Sequence, residues 1–301
     1  MNRVNKPQVL ESVDIALLFV VLIWGTNFTV VKSTLSEMTP MAFNALRFTG
    51  ASALSLILAW IMEKDLWIPQ RDWGLVLLLG FIGNFVYQIL FINGLARSRA
   101  SDTSLIISTT PIFVALIGTL TRSEKLRGWN WVGILLSFAG IFLLTTGSRS
   151  GMAVDDRTLP GNLLVLGATM SWAVYTILVK RLIQRHSVLK ATAWIMTSTT
   201  PLLVIAAIPD LWTQNWHAIS LQGWLGLIYS SALAIAIGYA IWNTGVQRVG
   251  SARTSVYSYL TPLVSVIVAW AFLDESMRPL QALGALGILL GVVLGRYRPK
   301  N

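Results

Sequence analysis

The chain has 301 residues, of which 54% are hydrophobic and only 12% are charged. Ordinary soluble domains are about a quarter charged, so this composition predicts one integral membrane domain and excludes a pair of soluble ones. The sequence contains no cysteine, which excludes a disulfide framework, a thiol nucleophile and a thiolate metal site. Its net charge of +10 comes from basic residues in short loops between apolar runs, a pattern that reports membrane orientation rather than nucleic-acid binding.

Ten apolar runs follow one another along the chain, and each is long enough to cross a bilayer, which takes about 20 mostly apolar residues. A polar stretch precedes the first run, and no small-residue cleavage site follows that run. We therefore expect the first run to be a membrane span rather than a signal peptide. The predicted spans are 13–34, 41–62, 73–95, 103–121, 129–147, 160–182, 190–209, 222–244, 254–273 and 279–296.

The second half of the sequence repeats the first. The stretch 94–140 realigns on 245–291 at a constant offset of 151, and Trp24 and Lys32 recur as Trp172 and Lys180 at an offset of 148. Identical pairs at the larger offset include Gly94/Gly245, Arg97/Arg248, Thr103/Thr254, Ser104/Ser255, Thr110/Thr261, Pro111/Pro262, Glu124/Glu275, Gly133/Gly284, Leu135/Leu286 and Gly140/Gly291.

Each repeat contains an odd number of spans, and this number determines the predicted fold. Two joined copies of a five-span unit must insert upside down relative to each other, as internal repeats do in many membrane proteins. We therefore predict an all-α integral membrane protein with ten transmembrane helices, built as two inverted five-helix repeats. The predicted segments are an N-terminal tail, the first repeat, a linker, the second repeat and a C-terminal tail, at 1–12, 13–147, 148–159, 160–296 and 297–301.

The distribution of basic residues predicts the orientation of the bundle. If the N-terminus is inside, sixteen of the 23 lysines and arginines fall in inner segments and six fall in outer segments, with Arg47 inside a span. Because inner loops carry the excess of lysine and arginine, both tails are predicted to be cytoplasmic and the linker periplasmic. Glu124 then lies at the inner face and its repeat mate Glu275 at the outer face.

The predicted membrane interior contains no acidic residue at the midplane, since all thirteen lie in loops or near span ends. A charge in hydrocarbon is costly and is kept only for a function. This absence argues against a carboxylate proton relay or a dication site, and it favours neutral, zwitterionic or aromatic solutes. His186 and His217 fall in loops, and the sequence offers neither metal-ligand spacing nor a nucleophile–base pair. We expect no enzymatic activity, no cofactor and no metal.

Polar and aromatic residues within the spans are the candidate cavity residues. Lipid cannot satisfy buried amides and phenols, so these side chains should face the bundle interior or a wet cavity. Interhelical hydrogen bonding or anchoring at the membrane interface is the alternative role. The candidates are Trp24, Asn27, Asn84, Tyr87, Gln88, Trp172, Tyr175, Tyr239, Trp242, Asn243, Tyr257 and Tyr259.

Arg47 is the one clear charge inside a predicted span. It stands about six residues from the outer end of the second span, or ~9 Å along a helix. Two interpretations stay open. The side chain snorkels to the outer interface, where Glu37 or Asp102 pairs with it, or it forms a cation in an outward vestibule that meets a substrate carboxylate. Lys32, at the outer end of the first span, is a second candidate for a vestibule charge.

Two prolines mark the fourth and ninth spans. Pro111 and Pro262 lie mid-span at equivalent repeat positions, and each removes one backbone hydrogen bond and kinks its helix. Two kinked helices related by a pseudo-twofold axis are suited to line a cavity or to act as hinges for gating. A role in packing alone stays open, because proline is common in membrane helices.

Small residues recur in the fifth and tenth spans, where they permit helix backbones to approach closely. We expect these two faces to pack on each other within one chain, or else to form a dimer contact. The residues are Gly133, Ser137 and Gly140 in the fifth span, and Gly287, Gly291 and Gly295 in the tenth.

These residues together carry a family resemblance. Trp24 and Gly25 are followed by Lys32, and Arg47 precedes Phe48. The fourth span of each repeat (spans 4 and 9 of the chain) contains a proline. A glutamate follows it, and the last span of the repeat then has regularly spaced glycines. The pattern covers essentially the whole chain and resembles the EamA-domain branch of the drug/metabolite transporter superfamily. Within it the chain is most similar to the YddG-like exporters of amino acids and aromatic compounds. The second repeat departs from the pattern at Ala173, Trp194 and Ile195.

The resemblance implies an inner-membrane carrier that exports amino acids or related metabolites through a central cavity by alternating access. A passive facilitator or channel of the same fold stays open. So does an exchanger of phosphorylated sugars, which would require several basic groups near the midplane. The expected partners are a small-molecule substrate and the lipid bilayer, without nucleic acid, in a monomer or weak homodimer.

Overall fold

The computed structural model describes residues 12–123, 126–146, 158–264 and 279–296. Several predicted features lie outside these ranges: nearly all of both tails and of the linker, Glu124, Glu275 and the ninth span beyond residue 264. The boundaries of the predicted segments there stay predictions.

The regular structure of the described residues is entirely helical, and it confirms the all-α fold of ten spans, the ninth seen in part. Seven helical stretches are long and apolar enough to cross a bilayer, and spans 5 and 10 contain shorter apolar helices. Spans 1 to 5 comprise Ser12–Thr34, Pro40–Glu63, Trp73–Gly80 with Tyr87–Arg97, Ala100–Ser108 with Thr110–Leu120, and Gly128–Thr146. Spans 6 to 10 comprise Leu159–Ile183, Val188–Ala206, Leu221–Tyr229 with Gly238–Val249, Ser251–Ser255 with Val256–Leu260, and Pro279–Arg296.

Ordinary sequence signals set several of the helix ends. Pro40 opens span 2, where its missing N–H removes no intrahelical hydrogen bond. Lys64 ends the same span in the left-handed conformation, with φ of 55°, and its N–H returns to a carbonyl of the last turn. Ser187 and Ser220 begin spans 7 and 8, and each hydroxyl accepts a backbone N–H of the first turn.

The contact between spans 5 and 10 shows the inversion of the repeats directly. Gly133 packs against Gly295, whereas Gly140, further along span 5, packs against Gly284 and Ile288. Residue numbers thus rise along one helix as they fall along the other, so the two helices run antiparallel. These spans are repeat mates, and mates of opposite direction require that the two copies lie inverted.

Spans 2 and 7, a second pair of repeat mates, meet in the same antiparallel way. The Ser52 and Thr200 hydroxyls lie 2.6 Å apart, and the Ser187 hydroxyl donates to the Glu63 carboxylate at the end of the pair. Span 1 packs on span 8, and their repeat mates, spans 6 and 3, pack on each other in the equivalent way. Spans 1, 3, 6 and 8 thereby surround the centre of the bundle.

Substitution of Gly140 by alanine is expected to destabilise the bundle. The added Cβ would lie 2.6 Å from the Ile288 nitrogen and 2.7 Å from the Gly284 oxygen, and backbone atoms cannot turn aside as a side chain can. Overpacking of this kind costs about 1–3 kcal/mol, so the thermal unfolding midpoint in detergent should fall by several degrees. Gly74→Ala is the matched control, because its Cβ meets no atom within 4 Å. Equal midpoints for the two variants would contradict the close crossing.

Irregular helical segments recur at equivalent places in the two repeats. Span 3 is a π-helix over Phe81–Val86, and span 8 is a π-helix over Ser230–Ile237. Spans 4 and 9, the fourth spans of the two repeats, are both irregular just before their prolines. Span 4 breaks at Thr109, and span 9 becomes a 3-10 helix over Val256–Leu260. The expected irregularity near Pro111 and Pro262 is therefore present, while their role in gating stays a prediction.

Polar contacts tie the repeats together at the predicted inner face, and we call this set the inner latch. The Asp72 carboxylate accepts a hydrogen bond from Arg185 at 2.9 Å and lies 2.8 Å from the His186 ring nitrogen. Asp65 pairs with Lys190 at 2.7 Å. This hydrogen bond from Lys190 holds the pKa of the Asp65 carboxyl below its usual range.

A corresponding set, the outer latch, ties the repeats together at the predicted outer face. The Glu37 carboxylate accepts from the Ser220 backbone N–H at 2.6 Å and from its hydroxyl at 2.8 Å. The Gln214 side chain accepts from the Thr39 N–H at 2.7 Å. Asp210 accepts from the backbone of span 2 at 3.0 Å. Each latch thus joins the loop between the first and second spans of one repeat to that between the second and third spans of the other.

Candidate functional site

A cavity lies at the centre of the bundle, between the two repeats. Six of the twelve predicted cavity residues and Arg47 line it, so the polar and aromatic residues of distant spans converge on one space. The complete lining is Trp24, Asn27, Phe28, Arg47, Tyr87, Gln88, Phe91, Ile107, Trp172, Ala234, Ile235, Tyr239, Ser258 and Thr261.

The cavity lies near the middle of the bundle, and the two repeats line it at slightly different depths. In the first repeat, the lining residues such as Phe28 and Phe91 lie on the predicted outer side of the span centres. In the second repeat, Trp172 lies close to the centre of span 6 and Tyr239 lies in the inner half of span 8.

Trp172 lies at the centre of a cluster of aromatic rings that forms one wall of the cavity, which we call the aromatic wall, and we call Trp172 its hub. It is 4% exposed, and its ring centroid lies between 4.8 and 6.0 Å from those of five other rings: Trp24, Tyr87, Tyr175, Tyr239 and Trp242. The Trp24 indole donates to the Ala234 carbonyl at 2.8 Å, which fixes it against span 8. Gly238 permits this approach, because a Cβ there would lie 2.9 Å from the Trp24 indole nitrogen.

Arg47 is fully inside the protein, with 1% of its surface exposed. Its guanidinium donates to the Ser230 hydroxyl at 3.1 Å, to the Asn44 amide oxygen at 3.0 Å and to the Gln88 amide oxygen at 2.5 Å. Its charge also lies 5.1 Å from the Phe43 ring centroid. The snorkelling interpretation is therefore wrong. The side chain turns toward the bundle axis, where neutral acceptors satisfy it, instead of extending along the helix to the interface.

The two carboxylates proposed as partners of Arg47 are engaged or positioned elsewhere. Glu37 belongs to the outer latch. Asp102 is buried near the start of span 4, and none of the ion pairs among the described residues joins it to Arg47.

A hydrogen-bonded relay connects Arg47 to the second repeat. Gln88 accepts from Arg47 and donates through its amide nitrogen to the Tyr239 hydroxyl at 2.9 Å. Gln88 and Tyr239 are repeat mates at the offset of 151. Mates can touch only near the pseudo-twofold axis, so this contact places the cavity beside that axis.

A second layer of the predicted residues closes the cavity toward the inner face. Tyr175 stacks on the hub at 4.9 Å, and the Asn243 amide donates to the Tyr175 hydroxyl and to Thr192, both at 2.9 Å. The Trp242 indole lies 5.1 Å from that of Trp24. These three side chains support the wall rather than line the open space.

Three other predicted residues lie away from this cavity. Asn84 is buried against span 7, where its amide donates to the Ile195 carbonyl at 3.3 Å. The Tyr257 hydroxyl donates to the Asp14 carboxylate at 2.8 Å, near the start of span 1. Tyr259 is fully buried. Their polarity indicated burial correctly, but Asn84 and Tyr257 serve contacts between helices, and the Tyr259 hydroxyl has no hydrogen-bond partner among the described residues.

Lys32 does not act as a vestibule charge in this structure. Its ammonium donates to the carbonyls of Leu95, Ala96 and Ser98 at 2.8, 3.0 and 2.6 Å, which uses its full set of N–H donors. These carbonyls lie at the C-terminal end of span 3, where the last carbonyls of a helix lack their full set of intrahelical partners and where a cation is favourable. The lysine therefore joins spans 1 and 3.

The sequence interpretation missed part of the lining. Phe28 and Phe91 lie one helical turn after Trp24 and Tyr87, and this i, i+4 spacing could have placed them on the same faces. The remaining missed residues, which carry no such signal, are Ile107, Ala234, Ile235, Ser258 and Thr261. In the part of the chain that the structure describes, no group of three metal-ligating side chains comes together.

Comparisons with known proteins agree with this architecture. The sequence profile of the EamA-like transporter family matches residues 11–146 and 159–296. An uncharacterized transporter of Synechocystis sp. is 30% identical over 294 residues, which cover 92% of this chain and 87% of the relative. A probable amino-acid metabolite efflux pump of Escherichia coli (strain K12) is 29% identical, with 93% of each chain covered. A solved crystal structure of 20% identity covers 94% of this chain and 96% of its own with a TM-score of 0.78, and this likeness concerns the fold alone.

The two profile matches coincide with the two inverted repeats, and between them they cover the cavity and nearly all of the chain. The matched family and the relatives are transporters, not enzymes. The chain therefore belongs to the EamA-like transporter family, within the drug/metabolite transporter superfamily, and is a multi-pass membrane transporter.

Proposed function

We propose that this transporter exports amino acids and related aromatic or amphipathic metabolites, by alternating access between its two inverted repeats. The observation that carries the proposal is the composition of the central cavity. Six aromatic rings surround one arginine and two amides at the interface of the repeats. A largely apolar space with a few convergent polar groups suits a small amphipathic molecule.

The name of the Escherichia coli relative supports the same substrate class, since it is a probable amino-acid metabolite efflux pump. The aromatic wall would hold an apolar or aromatic side chain, because ring pairs contribute about 0.5–1.5 kcal/mol beyond their buried area. The polar groups of the lining would orient the backbone of the substrate.

Alternating access requires that the two faces open in turn around a fixed site. In the described arrangement, Tyr175, Trp242 and Asn243 close the cavity toward the predicted inner face, where the inner latch also joins the repeats. We propose that the inner latch separates when the site loads from the cytoplasm. The outer latch would separate when the site releases its substrate to the periplasm.

The membrane location and the oligomeric state are part of the proposal. The distribution of basic residues supports a cytoplasmic location of both termini. The bacterial sources of the similar transporters support the inner membrane as the location. The glycine faces of spans 5 and 10 pack on each other within the chain, so they are not available for a dimer contact. This packing favours a monomer, or a homodimer that forms weakly through other surfaces.

Exchange of phosphorylated sugars fits this cavity less well. Recognition of a phosphate dianion generally uses several arginines or lysines. Arg47 is the one cation in the described lining, and Lys32 is engaged by the carbonyls of span 3.

Uptake and counterflow in proteoliposomes test the proposed function. Vesicles that contain the purified protein should accumulate labelled phenylalanine, and unlabelled phenylalanine inside should accelerate entry of the label, because a carrier returns faster when loaded. No pH gradient should be required, since none of the described residues that line the cavity carries a carboxylate. Uptake without acceleration from the opposite side would indicate a facilitator or channel. Uptake that depends on a pH gradient would contradict the inferred independence from protons.

A further inference from the structure

Arg47 is a buried cation without a buried anion. Each hydrogen-bond acceptor that the described residues provide for it is neutral: one hydroxyl and two amide oxygens. Removal of a charge from water costs several kcal/mol unless a counter-charge compensates it. Neutral acceptors and the nearby phenylalanine rings offset part of this cost, and a charge retained at such depth is typically functional.

The guanidinium also keeps an unused donor. Its Nε has no hydrogen-bond partner among the described residues, although the atom is inaccessible to bulk solvent. Arginine binds carboxylates through adjacent N–H groups of its planar fork. A carboxylate that displaces the packing around Nε could accept from it and take the place of an amide oxygen on the neighbouring nitrogen. It would supply the missing negative charge in the same step.

Asn27, in the same cavity, has a hydrogen-bond acceptor without a donor, whereas Arg47 has a donor without an acceptor. Its side chain is 7% exposed, and its amide oxygen has no donor among the described residues. Asn27 lies on span 1 and Arg47 on span 2, and both line the cavity beside the rings of Trp24 and Trp172. The lining therefore holds an unsatisfied donor with positive charge and an unsatisfied neutral acceptor.

We propose that these two residues recognise the backbone of an α-amino acid: Arg47 binds the carboxylate and Asn27 accepts a hydrogen bond from the ammonium group. The proposal deepens the proposed function and rests on it, since it identifies the substrate class as zwitterionic amino acids with apolar or aromatic side chains. Decarboxylated amines and amidated derivatives are excluded, because they leave the buried guanidinium without a counter-charge.

A purely structural role for Arg47 makes a different prediction. If the arginine served only to join spans 2, 3 and 8 through Ser230, Asn44 and Gln88, the carboxylate of a ligand would not matter. Compounds that differ only at that group would then compete equally well. Ligand selectivity thus separates recognition from scaffolding without any change to the protein.

The test measures how three compounds inhibit uptake of labelled phenylalanine into proteoliposomes. Unlabelled phenylalanine is the reference, phenylalaninamide lacks the carboxylate, and 3-phenylpropanoate lacks the ammonium group. Each analogue should inhibit at least about tenfold more weakly than phenylalanine, since an unpaired buried charge or acceptor costs more than the 1.4 kcal/mol that tenfold represents. Equal inhibition by phenylalaninamide would overturn the role of Arg47, and equal inhibition by 3-phenylpropanoate would overturn that of Asn27. Absence of phenylalanine uptake would instead refute the proposed function.

Variants assign the selectivity to the two residues. Arg47→Gln should reduce the preference for phenylalanine over phenylalaninamide to about one, and Arg47→Lys should restore part of it, because lysine keeps the charge but loses the fork. Asn27→Leu should remove the preference over 3-phenylpropanoate alone. Arg97→Gln is the matched control: Arg97 is exposed at the end of span 3, and both preferences should persist. If Arg47→Gln fails to fold, the ligand series in the unaltered protein still decides.

Discussion

Replacement of Trp172 by alanine is expected to reduce uptake of phenylalanine by at least about tenfold. The side chain contacts five other rings and forms the centre of the cavity wall. Loss of a buried tryptophan costs about 3–5 kcal/mol. The neighbouring rings would partly collapse into the space that it leaves. We expect a lower thermal unfolding midpoint together with a loss of substrate affinity.

The conservative variant separates these two effects. Trp172→Phe keeps a ring in the wall and should fold, yet it loses part of the stacking surface. Its half-saturation concentration for phenylalanine should rise about threefold to tenfold, in line with about 0.5–1.5 kcal/mol for one aromatic pair. Trp212→Ala is the control, because Trp212 is 85% exposed and lies outside the cavity. Normal uptake by Trp172→Ala would show that the aromatic hub is not part of the transport site.

Covalent closure of either latch is expected to stop transport. The chain contains no cysteine, so cysteine pairs can be introduced without background labelling. Cysteines in place of Asp65 and Lys190 would report on the inner latch, and cysteines in place of Glu37 and Ser220 would report on the outer latch. A flexible bifunctional maleimide that joins either pair should reduce uptake by about tenfold or more, because both faces must open in each cycle.

The four single-cysteine variants, treated with the same reagent, control for modification without linkage and should keep their uptake. A cleavable linker should restore transport after cleavage, which separates restraint from damage. Full activity with both pairs linked at once would show that the latches are static joints. The repeats would then have to open along other contacts, such as those between spans 3 and 6.

The arrangement of two inverted repeats could be predicted from the sequence, because the two halves still carry identical residues at equivalent positions. The pair Gly140 and Gly291 predicted a close contact between spans 5 and 10, and the structure confirms an antiparallel crossing there. The π-helices were not predictable. A π-turn adds one residue to a helical turn without a distinctive residue type, so the apolar pattern of spans 3 and 8 reads as continuous α-helix.

The candidate site was only partly accessible, because sequence distance along a span does not specify the direction of a side chain. From the sequence, Arg47 was either a side chain that snorkels to the outer interface or a cation in an outward vestibule, and Lys32 was a second vestibule candidate. Arg47 instead turns inward to neutral acceptors, and Lys32 reaches the end of a neighbouring helix. Asp14 gives a similar lesson: its position near a span end is as predicted, but it is buried against Tyr257. Polarity within a span indicates that a partner exists, whereas only the packing of helices shows which one.

The neutral surroundings of Arg47 have an electrical consequence. The binding site of an alternating-access carrier is connected first to one face of the membrane and then to the other. The electrical potential at a fixed positive charge in that site therefore changes when access switches. A full elementary charge in 100 mV corresponds to about 2.3 kcal/mol. In a cell with a negative interior, the voltage therefore favours the empty carrier with its arginine connected to the cytoplasm. An exporter loads its substrate from that side.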